Sequence, residues 1–188
     1  MNVIRHFLTI TSHKLLVMKL CFKVGLYRQG LTHDLSKYMP SEFIVGCRYY
    51  QGMRSPNNAE REVIGVSTAW LHHKGRNKHH YEYWLDYSNN ISEGIIGQKM
   101  PVKYVVEMFL DRVAASKIYR GENYSEKDPI KYYEKGAATL GNMIHPETAE
   151  KLRKLLQMLC DDGEEKTFDY IKKSVLKGNI CNRKRGRH

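Results

Sequence analysis

Imidazoles and carboxylates recur along this chain in an order that could hold metal. His13 comes first, then the adjacent pair His33-Asp34 in "LTHDLSKYMPSEF". The stretch "WLHHKGRNKHHYEYW" follows with His72, His73, His79 and His80, and "EMFLDR" adds Glu107 and Asp111. Seven of the nine histidines fall before residue 81. Imidazoles at that density are costly to bury unless each finds a partner. A metal supplies one, since neutral imidazole is a common ligand for Zn, Fe, Mn, Co and Ni. The alternative for the stretch taken alone is a solvent-facing or locally hydrogen-bonded loop. Glu107 and Asp111, four residues apart, share one face of a helix. That helix is unusually apolar (Val105, Val106, Phe109, Leu110, Val113), so its acids are expected to be partly buried and paired.

The elements that must position these groups read as helices nearly throughout. Apolar residues at helical spacing run from Val3 to about Gln29, with Gly30 as the stop. Pro40 opens a second helix through Tyr50, and "GMRSPNN" reads as a loop. A third helix is expected from about Ala59 to Lys74, capped by Asn57 or Asn58, with Gly75 and Asn77 disturbing it. Pro101 opens a strong helix to about Tyr119; Asp128-Pro129 and His145-Pro146-Glu147 open two more, and a last one runs from Glu164 to Lys177. No strand-like alternation competes. The expectation is a single all-α domain over residues 1–178, followed by a disordered basic tail over 179–188.

At 188 residues and 41% apolar content, the chain can bury a core and is not a disordered sequence. Cys21, Cys47, Cys160 and Cys181 lack CxxC spacing, which argues against a zinc ribbon or a disulfide framework and fits free thiols in the cytoplasm. No apolar run reaches about 18 residues, so no membrane span is expected. The N-terminal segment is interrupted by His13, Lys14, Lys19 and Lys23 and reads as an amphipathic helix, not a signal sequence. The net charge of +11 suits anionic partners, although much of the excess lies in "KGNICNRKRGRH", where weak polyanion binding is expected.

The order His13, His33-Asp34, histidine cluster, Asp111 resembles the HD superfamily of metal-dependent phosphohydrolases. More closely, "HDLSKYMPSEF", "HHKGRNKHHYEYW" and "MPVKYVVEMFLDR" resemble a bacterial and phage family catalogued as a domain of unknown function (DUF5662) and thought to be HD-like. That resemblance spans roughly residues 5 to 120. It implies a helical bundle in which His13, His33, Asp34 and Asp111 hold one divalent transition metal, with histidines of the cluster adding a second. Four histidines stand where the superfamily usually offers two. His73 and His80, seven residues apart, are favoured on helical spacing, with His72, His79, Asn77 and Glu82 as outer members. Lys37 sits where the HDxxK variant places a lysine on a substrate phosphate.

The function this implies is hydrolysis of a nucleotide or other small phosphate ester by metal-activated water. Lys37, with Arg76 or Lys78, would balance phosphate charge, and Asp34, or an inward-facing Glu107, would take up a proton. Two rivals differ in class. One is a di-iron oxygenase of HD type. The other is a nucleic-acid-binding protein using the tail and Tyr49, Tyr50, Tyr81 and Tyr83.

Overall fold

Helices carry the architecture, as the sequence predicts. A computed structural model describes residues 1–52, 54–137 and 141–177. The expected basic tail and Cys181 lie outside them.

The first helical stretch divides earlier than its apolar pattern suggests. Helix α1 (Val3–Val24) ends at Gly25, whose φ of 88° is the left-handed conformation that stops helices. A short α2 (Tyr27–Thr32) then turns back along α1. Gly30, the expected stop, lies inside α2, where a Cβ would come 3.0 Å from that of Cys21. Its role is close approach.

A 3-10 turn (Leu35–Tyr38) leads into α3 (Pro40–Tyr49). The expected third helix is two, α4 (Pro56–Ile64) and α5 (Thr68–Lys74), separated at Gly65 with φ 78°. Ser55 occupies the position before Pro56 that Asn57 or Asn58 was expected to fill.

After α5 the chain makes a departure from pure helix. Strands β1 (Leu85–Tyr87) and β2 (Ile95–Gly97) pair antiparallel, with Asp86 opposite Ile96. Three residues per strand are too few to show a period-2 pattern. The remaining helices are α6 (Val102–Arg120), α7 (Asp128–Ala137) and α8 (Pro146–Tyr170), the last broken at Gly163 and continued by a π-helical turn at Ile171–Val175.

Helix α6 is the axis of the fold. Val105, Val106, Met108, Phe109, Leu110, Val113 and Ala114 are all buried, so it is covered on most sides, and α1, α7 and α8 pack against it. Val17, Leu20 and Cys21 of α1 and Leu152, Leu156 and Leu159 of α8 complete that core. Each large side chain so buried contributes about 1.5–3 kcal/mol. The same rigid helix carries Glu107 and Asp111 inward, one turn apart.

Candidate metal centre

The centre begins with a backbone anomaly. Asp34 has φ 53° and ψ 26°, and it is the only non-glycine among the described residues with positive φ. L-residues reach that region at a cost, and Asp tolerates it better than most. The reversal after extended His33 turns both neighbouring side chains inward, leaving His33 1% and Asp34 2% exposed. Adjacent residues on a continuous helix could not share a target in this way.

The two oxygens of Asp34 face different groups. On the Oδ2 side stand His33 Nε2 at 3.4 Å and His13 Nε2 at 3.9 Å. Asp111 Oδ1 completes this set, 2.9 Å from His13 Nε2 and 3.5 Å from His33 Nε2. On the Oδ1 side stand His73 Nε2 and His79 Nε2, each at 3.3 Å, and His80 Nε2 lies 2.9 Å from His73 Nε2. Each set offers four ligand atoms within 4.8 Å of one another.

Donor chemistry shows what these sets could hold. His13 Nε2, His33 Nε2, His79 Nε2 and Asp34 Oδ1 are buried without a hydrogen-bond partner. The His13–Asp111 distance is short, but the contact lies off the direction a ring N–H would need. Buried polar atoms left unpaired are costly, and several converging on common points fit a cation between them. A His₂Asp₂ set on one side and a His₃Asp set on the other both suit divalent transition metals.

Other side chains hold the imidazoles from behind. Glu107 Oε1 lies 3.0 Å from His33 Nδ1 and 3.3 Å from His79 Nδ1, linking one ring from each set. Glu42 Oε2 lies 2.8 Å from His73 Nδ1, and its Oε1 lies 2.6 Å from His72 Nδ1. An acid on Nδ1 fixes the tautomer that presents Nε2 as a ligand. Asn77 donates to Ser36 Oγ at 2.8 Å and to the His73 carbonyl at 2.9 Å. Trp70 packs on His73 and His80, with ring centroids at 5.6 and 4.8 Å. The N-terminus of α5 is itself anchored by buried Glu60, which accepts from the Ser67 hydroxyl at 2.6 Å and the Thr68 amide at 3.0 Å.

Burial works against the charged forms of Asp34 and Asp111, yet the surrounding imidazoles and, for Asp34, Lys37 hold both carboxyls well below the usual range. Burial and the neighbouring His79 and His73 push His80 well below the ordinary histidine value, leaving its ring neutral. For Lys37, burial opposes the charge, but Asp34 with Asp111 outweighs it and the ammonium's pKa is raised. Lys37 Nζ rests 2.6 Å from Asp34 Oδ2.

The structure thus brings together His13, His33, Asp34, His73, His80 and Asp111, and adds His79 as an equal member of the second set. His72 and Asn77 stand one layer behind. Glu82, half-buried, makes no contact with either set among the described residues, and its Oε2 lacks a partner. Arg76 and Lys78 are exposed, the latter over the Tyr83 ring at 5.6 Å, and neither bonds to the cluster. Sequence spacing gives no signal for Glu42, Ser36 or Glu60. Glu42 at the start of α3 reads as an ordinary first-turn acid, and only the packing of α3 on α5 reveals its partners.

No curated protein and no solved structure matches the chain. A family model does, over residues 2–158, reaching well into α8 and beyond the motif-bearing segment. The chain belongs to the family described as a family of unknown function (DUF5662).

Proposed function

We propose that this protein is a metal-dependent phosphohydrolase in which the two sets meeting at Asp34 would each hold a divalent ion (Zn, Mn, Fe, Ni or Co). The observation that carries the reading is the convergence of unpartnered imidazole nitrogens on both oxygens of one buried carboxylate. A divalent metal in such a site lowers the pKa of water towards neutrality and offsets phosphoryl charge.

The chain's own residues have distinct tasks in this proposal. His13, His33 and Asp111 hold one side of Asp34, and His73, His79 and His80 hold the other. Lys37 lies at the rim with its side chain 29% exposed, so a substrate phosphate can reach it. Its ammonium cannot ligate metal but can pair with phosphate oxygens. Glu107 stands behind the rings with Oε1 on two Nδ1 atoms, a place that suits positioning better than proton uptake. Asp34, with both oxygens committed to the two sets and its carboxyl held well below the usual range, is no better suited to that task, so neither acid is assigned proton uptake. Likeness to the HD superfamily is part of the same proposal, supported by the order of residues and their convergence. The substrate class is a small phosphate ester, a nucleotide included.

One specific feature favours a second reading. The Oδ1 side offers three imidazoles to one carboxylate, a set that also suits iron in an oxygenase. For nucleic-acid binding the support is weaker, because Tyr49, Tyr50 and Tyr81 are half-buried and Tyr50 OH bonds Thr9 Oγ1 at 2.7 Å.

Elemental analysis of protein made without an affinity tag tests the proposal, followed by a screen of p-nitrophenyl phosphate and nucleoside phosphates. The expected result is about two transition-metal equivalents, one per set, with phosphate release lost on chelation and restored by metal. Less than about 0.2 equivalents, with none taken up on reconstitution, would sink it. Iron with oxygen consumption and no phosphate release would favour the oxygenase.

A further inference from the structure

The first third of the chain distributes charge in an unusual way. Every carboxylate before Glu62, namely Asp34, Glu42 and Glu60, is buried. Over the same segment Arg5, Lys19, Lys23 and Arg28 are exposed. None of these four cations makes an ion pair among the described residues, so the surface built from α1 and α2 presents unpaired positive charge.

That surface is also apolar along a line. Ile4, Leu8, Leu15 and Phe22 are exposed by 75, 57, 52 and 38%. At 100° per residue these four fall within about 40° of one another on α1, and Arg5, Lys19 and Lys23 flank them on one side. Across the other side lies α2, where the Tyr27 ring sits 5.3 Å from that of Phe22. Lys14 Nζ bonds the carbonyls of Leu31 and His33, fixing exposed Leu31 beside α1. The opposite face of α1 carries buried His6, His13 and Val17, so the stripe is separate from the acid–imidazole cluster.

Scattered exposed leucines are ordinary, but a straight apolar stripe with a basic edge is an interaction surface. A second copy would set cation against cation. Nucleic acid would pair with the cations and leave the stripe wet. An anionic bilayer satisfies both, because apolar side chains enter the headgroup boundary while lysine and arginine meet lipid phosphates. No described helix is long and apolar enough to cross a membrane, so the contact is a surface one.

We infer that the outer face of α1, with α2 beside it, docks on an anionic phospholipid surface. The test is co-sedimentation of the full chain with vesicles of phosphatidylglycerol and phosphatidylcholine in equal parts, against phosphatidylcholine alone. Binding is expected only to the anionic vesicles, weakening as salt rises from about 0.05 to about 0.5 M. Leu8→Ser with Leu15→Ser leaves net charge unchanged, so any attraction through the basic C-terminal residues persists. It should still weaken binding at least about tenfold. Should that pair fail to fold by circular dichroism, Arg5→Gln with Lys19→Gln reads the same face and should lower binding several-fold. The inference is overturned if the parent ignores anionic vesicles, or if the folded variants bind as it does. It is equally overturned if the leucine pair instead abolishes a concentration-dependent dimer or the binding of single-stranded nucleic acid.

Discussion

The two sides of Asp34 are built differently. On the Oδ2 side, His13 comes from α1, His33 from the α2 junction and Asp111 from α6, so the set exists only once the helical core has assembled. On the Oδ1 side, His73, His79 and His80 all come from one short stretch spanning the end of α5 and the turn after it. One set is a product of tertiary packing; the other is largely local and is closed by a single distant carboxylate. The first is fixed by elements in the core, whereas the second depends on groups behind it, chiefly Glu42, Asn77 and Trp70. A shared carboxylate joins a rigid half to a supported one.

The largest effect should follow from Asp34. Asp34→Ala removes the carboxylate both halves use and places a residue ill-suited to positive φ at that turn. Metal content should fall to near zero and phosphate release by at least about 10³-fold. Retention of one full equivalent would show that the halves do not share it. Sharper still is a pair of variants, Asp111→Ala and His79→Ala. Each should lose one equivalent and keep the other, and loss of both ions from either would show that the halves are one cooperative unit.

Next in size is Lys37→Ala. Its ammonium touches Asp34 yet cannot coordinate metal, so metal content should stay near that of the parent. Turnover should fall by about 2–4 kcal/mol in transition-state stabilisation, the worth of one oriented donor. If metal leaves as readily as from Asp34→Ala, Lys37 is part of the holding structure instead.

Glu42→Gln should act on one half alone. The amide can still meet His73 Nδ1 but no longer carries the charge that supports the ring. Affinity for the ion on the Oδ1 side should weaken about 10–100-fold, while the other ion is retained. Equal weakening of both would remove the distinction between the halves.

How much of this was legible in the sequence follows the same division. The order of candidate ligands could be read because imidazoles and acids at this density in an apolar context are costly to bury unpaired. Helical character could be read from periodicity, and α6 from its apolar run. What stayed hidden depends on packing or on backbone reversals. Seven-residue spacing favours His73 with His80 only if the helix continues; the chain turns after Lys74, and His79 returns to Asp34 as closely as His73 does. Glu42 and Glu60 look like ordinary surface acids until α3, α4 and α5 meet. The left-handed Asp34 leaves no signal in composition, although it is what lets His33 and Asp34 face one centre.

The smallest effect lies just outside the cluster and tests the rigid half. His6, two turns before His13 on α1, is buried against α3, with Phe43 and Tyr50 rings at 5.6 and 5.8 Å. A side chain at Gly46 would run into its ring. Burial first, and the nearby Lys37 second, lower its pKa from 6.5 to about 4. Between those values the unfolded chain binds a proton that the folded chain resists, so stability contributed by the neutral ring is intact above pH 6.5 and is lost as pH falls towards 4. From pH 7 to pH 5 that loss should be about 1–2 kcal/mol. Other groups titrate in the same window, so the informative quantity is the difference between parent and His6→Gln in urea unfolding at both pH values. The variant should be less stable at pH 7 through lost packing, yet show the shallower decline with acid. Parallel declines would mean that His6 takes up its proton freely in the folded chain, and that the α1–α3 contact behind the rigid half is looser than its packing implies.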